Sequence, residues 1–151
     1  MDEQSLKDIE LELAILIRHI TSISSDKRVG TLDRSAYLLL QRLFTHGSAG
    51  VKALADEFHL DISTVSRQAA ALEQKGYVYK IPDPVDGRAF SFQITELGAK
   101  ELAEHRQARL NRMKYLLRDW TEEECQRFGQ LLYKFNKLAS EVSFLSEAGG
   151  R

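Results

Sequence analysis

The sequence predicts a mainly α-helical protein with one small β-hairpin, flanked by long helices at both ends of the chain. Three observations indicate this fold. Two short helical patterns stand on either side of a three-residue break in residues 53–76, and two strand-like segments follow at 77–81 and 89–94. Both ends of the chain repeat apolar residues at steps of three and four, as one face of a helix does.

Two helices are predicted ahead of residues 53–76. The first carries a single apolar stripe formed by Leu6, Ile9, Leu13, Leu16, Ile20 and Ile23. The second has an N-cap residue in Asp33 and an end signal in His46-Gly47, because glycine adopts the backbone conformation that closes a helix. Ser48 or Gly50 is then placed to begin the next helix.

Residues 53–76 show the spacing of two short helices joined by a tight turn. Leu54, Ala55 and Phe58 share the apolar face of the first, and residues 59–61 break the pattern. The second helix begins at Ile62 or Ser63, and Gly76 is placed to end it. Its apolar face is formed by Val65, Ala69 and Leu72. This pattern predicts a helix-turn-helix, whose second helix is shaped to enter a DNA major groove.

A hairpin is predicted directly after the helix-turn-helix. Its strands, 77–81 and 89–94, are joined by the turn-forming residues 82–88, PDPVDGR. A helix-turn-helix followed by such a hairpin is a winged helix.

Two long helices are predicted after the hairpin. Thr95 caps the first, which runs from Glu96 to about Asp119. Thr121 and Glu124 form a capping box for a last helix that runs to about Leu145.

Three segments of the sequence resemble the MarR family of bacterial transcription regulators. They are STVSRQAAALEQKGYV at 63–78, DPVDGR at 83–88 and ITELG at 94–98, and the similarity is densest over 51–98. The resemblance implies a winged helix-turn-helix domain at 31–98 between an N-terminal dimerisation helix, 1–30, and C-terminal dimerisation helices, 99–151. It also implies a protein that binds double-stranded DNA as a homodimer.

The last helix carries the apolar seam of a coiled coil. Its residues are Phe128, Leu131, Phe135, Leu138, Val142 and Leu145. Spacing alone equally allows an apolar face packed in this chain's own core. The first helix has a similar stripe, however, and the winged domain is too small to cover both. We therefore predict an obligate homodimer built from residues 1–28 and 100–145.

The helical wheel divides the second helix of the helix-turn-helix into two faces. If Val65 points inward, the opposite face carries Ser63, Ser66, Arg67, Ala70 and Gln74, with Thr64 and Gln68 beside it. Arginine pairs with guanine and glutamine with adenine, while hydroxyls at a first turn suit phosphates. The predicted DNA contacts are therefore Ser63, Thr64, Ser66, Arg67 and Gln68. Alternatively, Ser63 only caps the helix and Thr64 only faces water.

Arg88 is a further predicted DNA contact, because it lies near the hairpin tip, where a cation reaches a narrow minor groove. The resemblance implies the same role, and it implies that Asp86 braces the wing. A plain turn residue is the alternative for Asp86. The sequence departs from the family at His59, where glycine is usual, and at Ala70 and Ala71, where polar side chains are frequent.

The net charge of −1 is low for a nucleic-acid binder. DNA binding then depends on five cations lying on one surface: Lys52, Arg67, Lys75, Lys80 and Arg88. The charge supports an alternative function, a winged-helix module that binds other proteins and not DNA. A second alternative is a thiol-based redox sensor, for which Cys125 is the one cysteine available.

Composition excludes several other classes of protein. One cysteine forms no internal disulfide, the N-terminus is acidic rather than a signal peptide, and no segment reaches the roughly 20 apolar residues of a membrane span. We expect a soluble, cytoplasmic protein. The four histidines are scattered, without metal-ligand spacing, and no nucleotide-binding pattern occurs. We expect no enzyme activity, no metal and no cofactor.

The resemblance also implies control by a small aromatic or phenolic effector, bound between the dimerisation helices and the winged domain. Arg18, His19 and Tyr37 lie on the helices that would line this cleft, although ordinary packing explains them equally well. The predicted function is a transcription regulator, with repression as the expected direction. It binds a pseudo-palindromic operator and leaves it when the effector binds.

Overall fold

The computed structural model describes residues 1–24, 32–82 and 88–149. In these residues six helices and three strands follow one another as α1 (Glu3–Ser24), α2 (Arg34–His46), β1 (Ala49–Gly50), α3 (Val51–Phe58), α4 (Ile62–Gln74), β2 (Val78–Pro82), β3 (Phe90–Ile94), α5 (Glu96–Leu116) and α6 (Glu122–Gly149). The predicted class, mainly α with a small β wing, is confirmed. Across the described ranges, every helix is too short or too polar to cross a membrane.

The predicted caps begin three of the helices. The side chains of Asp33 and Thr95 each accept a backbone N–H three residues on, at 2.8 and 3.0 Å. Thr121 and Glu124 bond reciprocally, at 3.0 and 3.1 Å. Two helix ends differ from prediction: α5 ends at Leu116 because the chain turns at 117–120 to reach the Thr121 cap, and α6 continues to Gly149.

The wing is a three-stranded antiparallel sheet with β3 in the middle, where the sequence predicted a two-stranded hairpin. β2 pairs with β3 in the register Val78↔Ile94, and Ala49 of β1 lies opposite Phe92. β1 was missed because two residues are too short to show an alternating pattern. Val78 and Phe92 turn their side chains into the core.

One core joins the helix-turn-helix to the wing. Leu40, Leu54 and Val65 are completely buried and come from α2, α3 and α4. Leu102 of α5 belongs to the same cluster, so the helix that leaves the wing also packs against the domain. The boundary predicted between residues 30 and 31 lies outside the described residues, and the division into three segments remains a prediction.

The apolar stripes of α1 and α6 face solvent in the single chain. Leu131 is 54% and Leu138 61% exposed. Other exposed members are Leu6, Ile9, Leu16, Ile20, Phe128, Phe135 and Val142. The side chains of Ile23 and Leu145 lie outside the described part. The seam of α6 is therefore not a face of this chain's own core.

Gly98 lets α5 approach the end of the helix-turn-helix. A Cβ at this position would stand 2.1 Å from the backbone oxygen of Tyr77 and 2.9 Å from Cγ1 of Ile94. Thr95 fastens the same junction, since its hydroxyl donates to the carbonyl of Gly76 at 2.6 Å. A shift of α5 away from the backbone at Gly76 and Tyr77 would break these contacts.

We expect Gly98→Ala to lower the free energy of unfolding by about 3 kcal/mol, the upper part of the usual range for overpacking. Chemical denaturation measures this loss. Gly129→Ala is the matched control, because it lies in α6 with nothing within 4 Å of an added Cβ. Alanine there should stabilise the helix by roughly 0.5–1 kcal/mol. Equal stability of Gly98→Ala and the wild type would contradict the close packing.

Candidate nucleic-acid interface

Helix α4, here called the recognition helix, has one buried and one exposed face. Val65, Ala69 and Leu72 are at most 2% exposed and fix its inward direction. The exposed residues are Ser63, Ser66, Arg67, Ala70 and Gln74, and Thr64 and Gln68 are half-buried beside them. The two faces derived from the helical wheel are confirmed. All five predicted contact residues of this helix lie on or beside the exposed face.

The start of the recognition helix leaves its first turn open to solvent. Asp61 occupies the N-cap position, but its side chain makes no capping hydrogen bond. Ser63 is the second residue inside the helix, so the alternative that it caps the helix is wrong. Backbone N–H groups of a first turn lack helical partners and attract anions. The hydroxyls of Ser63 and Thr64 stand at this end of the helix.

The turn between α3 and the recognition helix depends on a left-handed residue. His59 has φ 54° and ψ 46°, and the N–H of Leu60 donates to the carbonyl of Ala55 at 3.0 Å. Glycine adopts this conformation without strain, whereas a side chain adds about 1–2 kcal/mol. The left-handed conformation of His59 accounts for the glycine that is usual at this position in the family. The turn keeps its geometry because the residues around it are fixed by the core.

A salt bridge fastens α3 to α2. The guanidinium of Arg42 donates two hydrogen bonds to Glu57, at 2.5 and 2.9 Å, and a third to the carbonyl of Gly47 at 3.3 Å. The hydrogen bond from Arg42 lowers the pKa of the Glu57 carboxyl below its usual value. This bidentate pair holds α3, the first helix of the helix-turn-helix, against α2. Because α4 follows α3 after a tight turn, the position of α3 sets the orientation of α4.

Arg67 lies along the exposed face of the recognition helix. Its Nη2 is 3.5 Å from the hydroxyl of Thr64, one turn earlier. This distance is at the limit of a hydrogen bond, so the contact holds the guanidinium weakly. The side chain can leave Thr64 for a stronger acceptor at little cost in free energy.

A groove of about 580 Å³, here called the wing groove, separates the recognition helix from the sheet. Ser66 and Ala70 line it from the helix, Lys52 from α3, and Lys80 and Phe90 from the strands. Two of the five cations named above therefore border the same surface as the recognition helix. A third, Arg67, is on that helix.

Of the two residues predicted for the wing, the structure describes Arg88 but not Asp86. Arg88 is exposed, two residues before β3 begins. Asp86 and the rest of the turn, residues 83–87, lie outside the described residues. Lys80 projects from β2 toward Phe90, with its Nζ 5.4 Å from the ring centre, and lies 3.9 Å from the carboxylate of Glu73.

Comparison with known proteins identifies the family of this fold. The model of the MarR family matches residues 32–90. The uncharacterized HTH-type transcriptional regulator YxaD of Bacillus subtilis is 49% identical over 130 residues, which cover 85% of this chain and 91% of YxaD. The chain belongs to the MarR family. It is a DNA-binding transcription regulator with a winged helix, and the resemblance found in the sequence is confirmed.

Other relatives agree with this assignment. A MarR family protein from Bacillus stearothermophilus has the same fold, with a TM-score of 0.76 at 19% identity over 93% of this chain and 99% of that one. The transcriptional repressor IacR of Pseudomonas putida is 23% identical over 67% of this chain and 60% of its own length. MarR family regulators bind DNA and act as dimers. The relatives are transcription regulators rather than enzymes.

The three residues expected to line a MarR effector cleft are not brought together in the single chain. Arg18 and His19 are exposed on α1, whereas Tyr37 is half-buried between α2 and α5. Among the described residues, no hydrogen bond or ring contact joins Tyr37 to either of them. The ring of Tyr37 instead lies 5.1 Å from that of His105 and 5.2 Å from the guanidinium of Arg109.

His105 was not among the predicted site residues. It stands on the buried face of α5, at a helical spacing from Leu102, where an apolar residue is usual. A histidine at such a position is the signal in the sequence that marks it. Cys125 is half-buried with a free thiol. The described residues hold no group of three or more His, Cys, Asp or Glu side chains arranged for a metal ion.

Proposed function

We propose that this MarR family protein is a homodimeric repressor that binds a pseudo-palindromic operator and leaves it when a small-molecule effector binds. The two recognition helices enter successive major grooves, so the half-sites lie about one helical turn, ~10 bp, apart. The exposed face of the recognition helix carries this proposal, because its buried face is fixed by the core and its polar side chains point away from the protein.

Each proposed contact follows from the chemistry of its side chain. Arg67 and Gln68 meet base edges, because a guanidinium and an amide each form paired hydrogen bonds with a purine. The hydroxyls of Ser63, Thr64 and Ser66 bond to phosphates or bases at the start of the helix. Exposed Arg88 enters the minor groove, with Asp86 supporting the wing.

Dimerisation explains both the exposed apolar stripes and the weak net charge. The seams of α1 and α6 cover one another across the two-fold axis and remove large apolar side chains from water. Two subunits also double the number of cations that meet the DNA. A net charge of −1 per chain then suffices, because the cations of the wing groove and the recognition helix act together.

Repression is the proposed direction of control. A dimer that covers a promoter excludes polymerase without any further domain, and the relative IacR is a transcriptional repressor. The proposed effector is a small aromatic or phenolic molecule. Tyr37, with the cation of Arg109 above its ring, offers an aromatic face and a positive charge for such a ligand. Arg18 and His19 join this site when the dimer brings α1 into place.

Binding to DNA from upstream of the protein's own gene tests the proposal. We expect tight, sequence-selective binding that weakens steeply as salt rises, because each phosphate contact releases a counterion. A scrambled duplex of the same length is the control, measured at the same two salt concentrations. Equal affinity for both duplexes with no salt dependence would contradict a DNA-binding role for this surface.

Arg88→Ala is expected to weaken operator binding by about 1–3 kcal/mol per subunit, the scale of one good base-edge contact. Titration of labelled operator measures the change. Arg88→Lys is the matched variant, because it keeps the charge but not the planar guanidinium. We expect the lysine variant to retain the salt dependence and to lose part of the affinity. If Arg88→Ala bound the operator with the affinity of the wild type, Arg88 would be excluded as a DNA contact.

A further inference from the structure

His105 is a buried imidazole at the junction of α2 and α5. It is 4% exposed, and it is the one buried polar or charged side chain in the described ranges. Its Nδ1 accepts the backbone N–H of Leu32 at 3.3 Å. Its Nε2 is also buried and makes no hydrogen bond in the described part of the chain.

This hydrogen bond defines the protonation state of the ring. Because Nδ1 accepts a hydrogen bond from Leu32, Nδ1 carries no proton. The proton of the neutral imidazole is therefore on Nε2. Leu32 is itself a buried member of the core and stands two residues before α2 begins. His105 therefore ties α5, the helix that leads out of the winged domain, to the entry of α2.

The groups around the imidazole disfavour a positive charge. Arg109 lies one turn later on α5, and its guanidinium stands over the ring of Tyr37, which packs against His105 from α2. Two carboxylates belong to the same surroundings. That of Asp33, at the entry of α2, is engaged as the cap of that helix, and Glu101 lies half-buried one turn before His105 on α5. Burial, followed by the charge of Arg109, lowers the pKa of His105 below its ordinary value of 6.5.

We propose that His105 is a proton-sensitive latch between the dimerisation helix α5 and the DNA-binding domain. As a neutral ring it accepts the Leu32 amide and holds α2 against α5. When a proton from solvent binds Nδ1, the imidazolium carries N–H groups on both nitrogens and can no longer accept. The Leu32 amide then loses its partner, the entry of α2 separates from α5, and the recognition helices lose their fixed position relative to the dimer.

The direction of the pH effect follows from the lowered pKa. The folded state binds a proton at His105 less readily than the unfolded chain, so the stability due to the neutral latch is fully present above about pH 6.5. It is lost as the pH falls below that value toward the lowered pKa of the folded protein. Acidification therefore opens the latch, and neutral pH closes it.

His105→Asn tests the latch, because the asparagine side-chain oxygen can accept near the position of Nδ1 but does not titrate. Operator affinity and thermal midpoint are measured for the intact dimer at about pH 7.5 and about pH 5.5, on either side of the ordinary histidine pKa. We expect the operator affinity of the wild type to fall on acidification by roughly fivefold or more beyond that of His105→Asn, the lower end of the coupling usual between two linked sites. His46→Asn, at the exposed end of α2, should behave as the wild type.

Two outcomes would overturn the latch. One is the same pH dependence in His105→Asn and the wild type. The other is measured by NMR on the wild-type protein without DNA, and so applies even if the variant fails to fold. The Leu32 amide must shift and lose its protection from exchange with the midpoint at which the His105 ring titrates; an amide that does not respond rules out the latch. The effect of the latch on operator binding rests on the proposed function, whereas the response of the Leu32 amide does not. A protein that binds no DNA at any pH would therefore contradict the proposed function and leave the latch to be decided by the Leu32 amide.

Discussion

Replacing Leu138 with glutamate is expected to produce a monomer that no longer binds the operator at physiological salt. Leu138 is 61% exposed in the single chain and lies in the middle of the apolar seam of α6. In a two-fold dimer each substitution enters the interface twice. A carboxylate buried without a partner there disfavours association by several kcal/mol, far more than a surface charge does.

Loss of the dimer has a large effect on DNA binding because the two half-sites are then bound independently. Linked binding exceeds single-site binding by about 10²–10⁴-fold, so the monomer should lose at least 100-fold in apparent affinity. Sedimentation at micromolar concentration measures the oligomeric state, and titration of operator measures the affinity. Circular dichroism reports whether the helices persist in the monomer.

Asn136→Glu is the matched control for this variant. It introduces the same charge two residues away, at an exposed position on the opposite side of α6 from the seam. We expect this variant to remain a dimer with wild-type operator affinity. A Leu138→Glu protein that stays dimeric and binds operator normally would show that the α6 seam is not the dimer interface.

Features set by neighbouring residues were predicted from the sequence. Val65, Ala69 and Leu72 follow helical periodicity, so the buried face of the recognition helix was already defined. The caps at Asp33 and Thr95 and the capping box at Thr121 depend on residues at most three positions apart. Local spacing determines these hydrogen bonds, whatever the rest of the chain does.

Features that join distant residues were not predicted. The pair of Arg42 and Glu57 spans 15 positions, and the bond from Leu32 to His105 spans 73. Nothing in the spacing of one sequence indicates which distant side chains meet. For the same reason β1 was missed, because it exists only through its pairing with β3. The predicted DNA contacts remain predictions, since exposure places them on the right surface without showing what they bind.

Arg67→Ala is expected to remove about 1–3 kcal/mol of operator affinity per subunit and most of the preference for operator over scrambled DNA. Arg67 is exposed on the recognition helix, and its long contact with Thr64 is easily replaced by a paired hydrogen bond to guanine. Ala70 and Ala71 follow it, so few other polar side chains share the recognition of sequence. Removing Arg67 should therefore affect selectivity more than general affinity.

Comparison with Arg67→Lys separates base recognition from charge. Lysine keeps the positive charge but lacks the planar, two-pronged donor of arginine. If Arg67 reads a base, the lysine variant retains the salt dependence of the wild type but binds operator and scrambled duplex with nearly equal affinity. If Arg67 only contacts phosphate, lysine restores wild-type selectivity, and alanine weakens binding to both duplexes by the same factor with a salt slope reduced by about one per subunit. The second pattern would leave Gln68 as the one proposed amide contact to a base, beside the hydroxyls at the start of the helix, and specificity would then rest on DNA shape more than on paired hydrogen bonds.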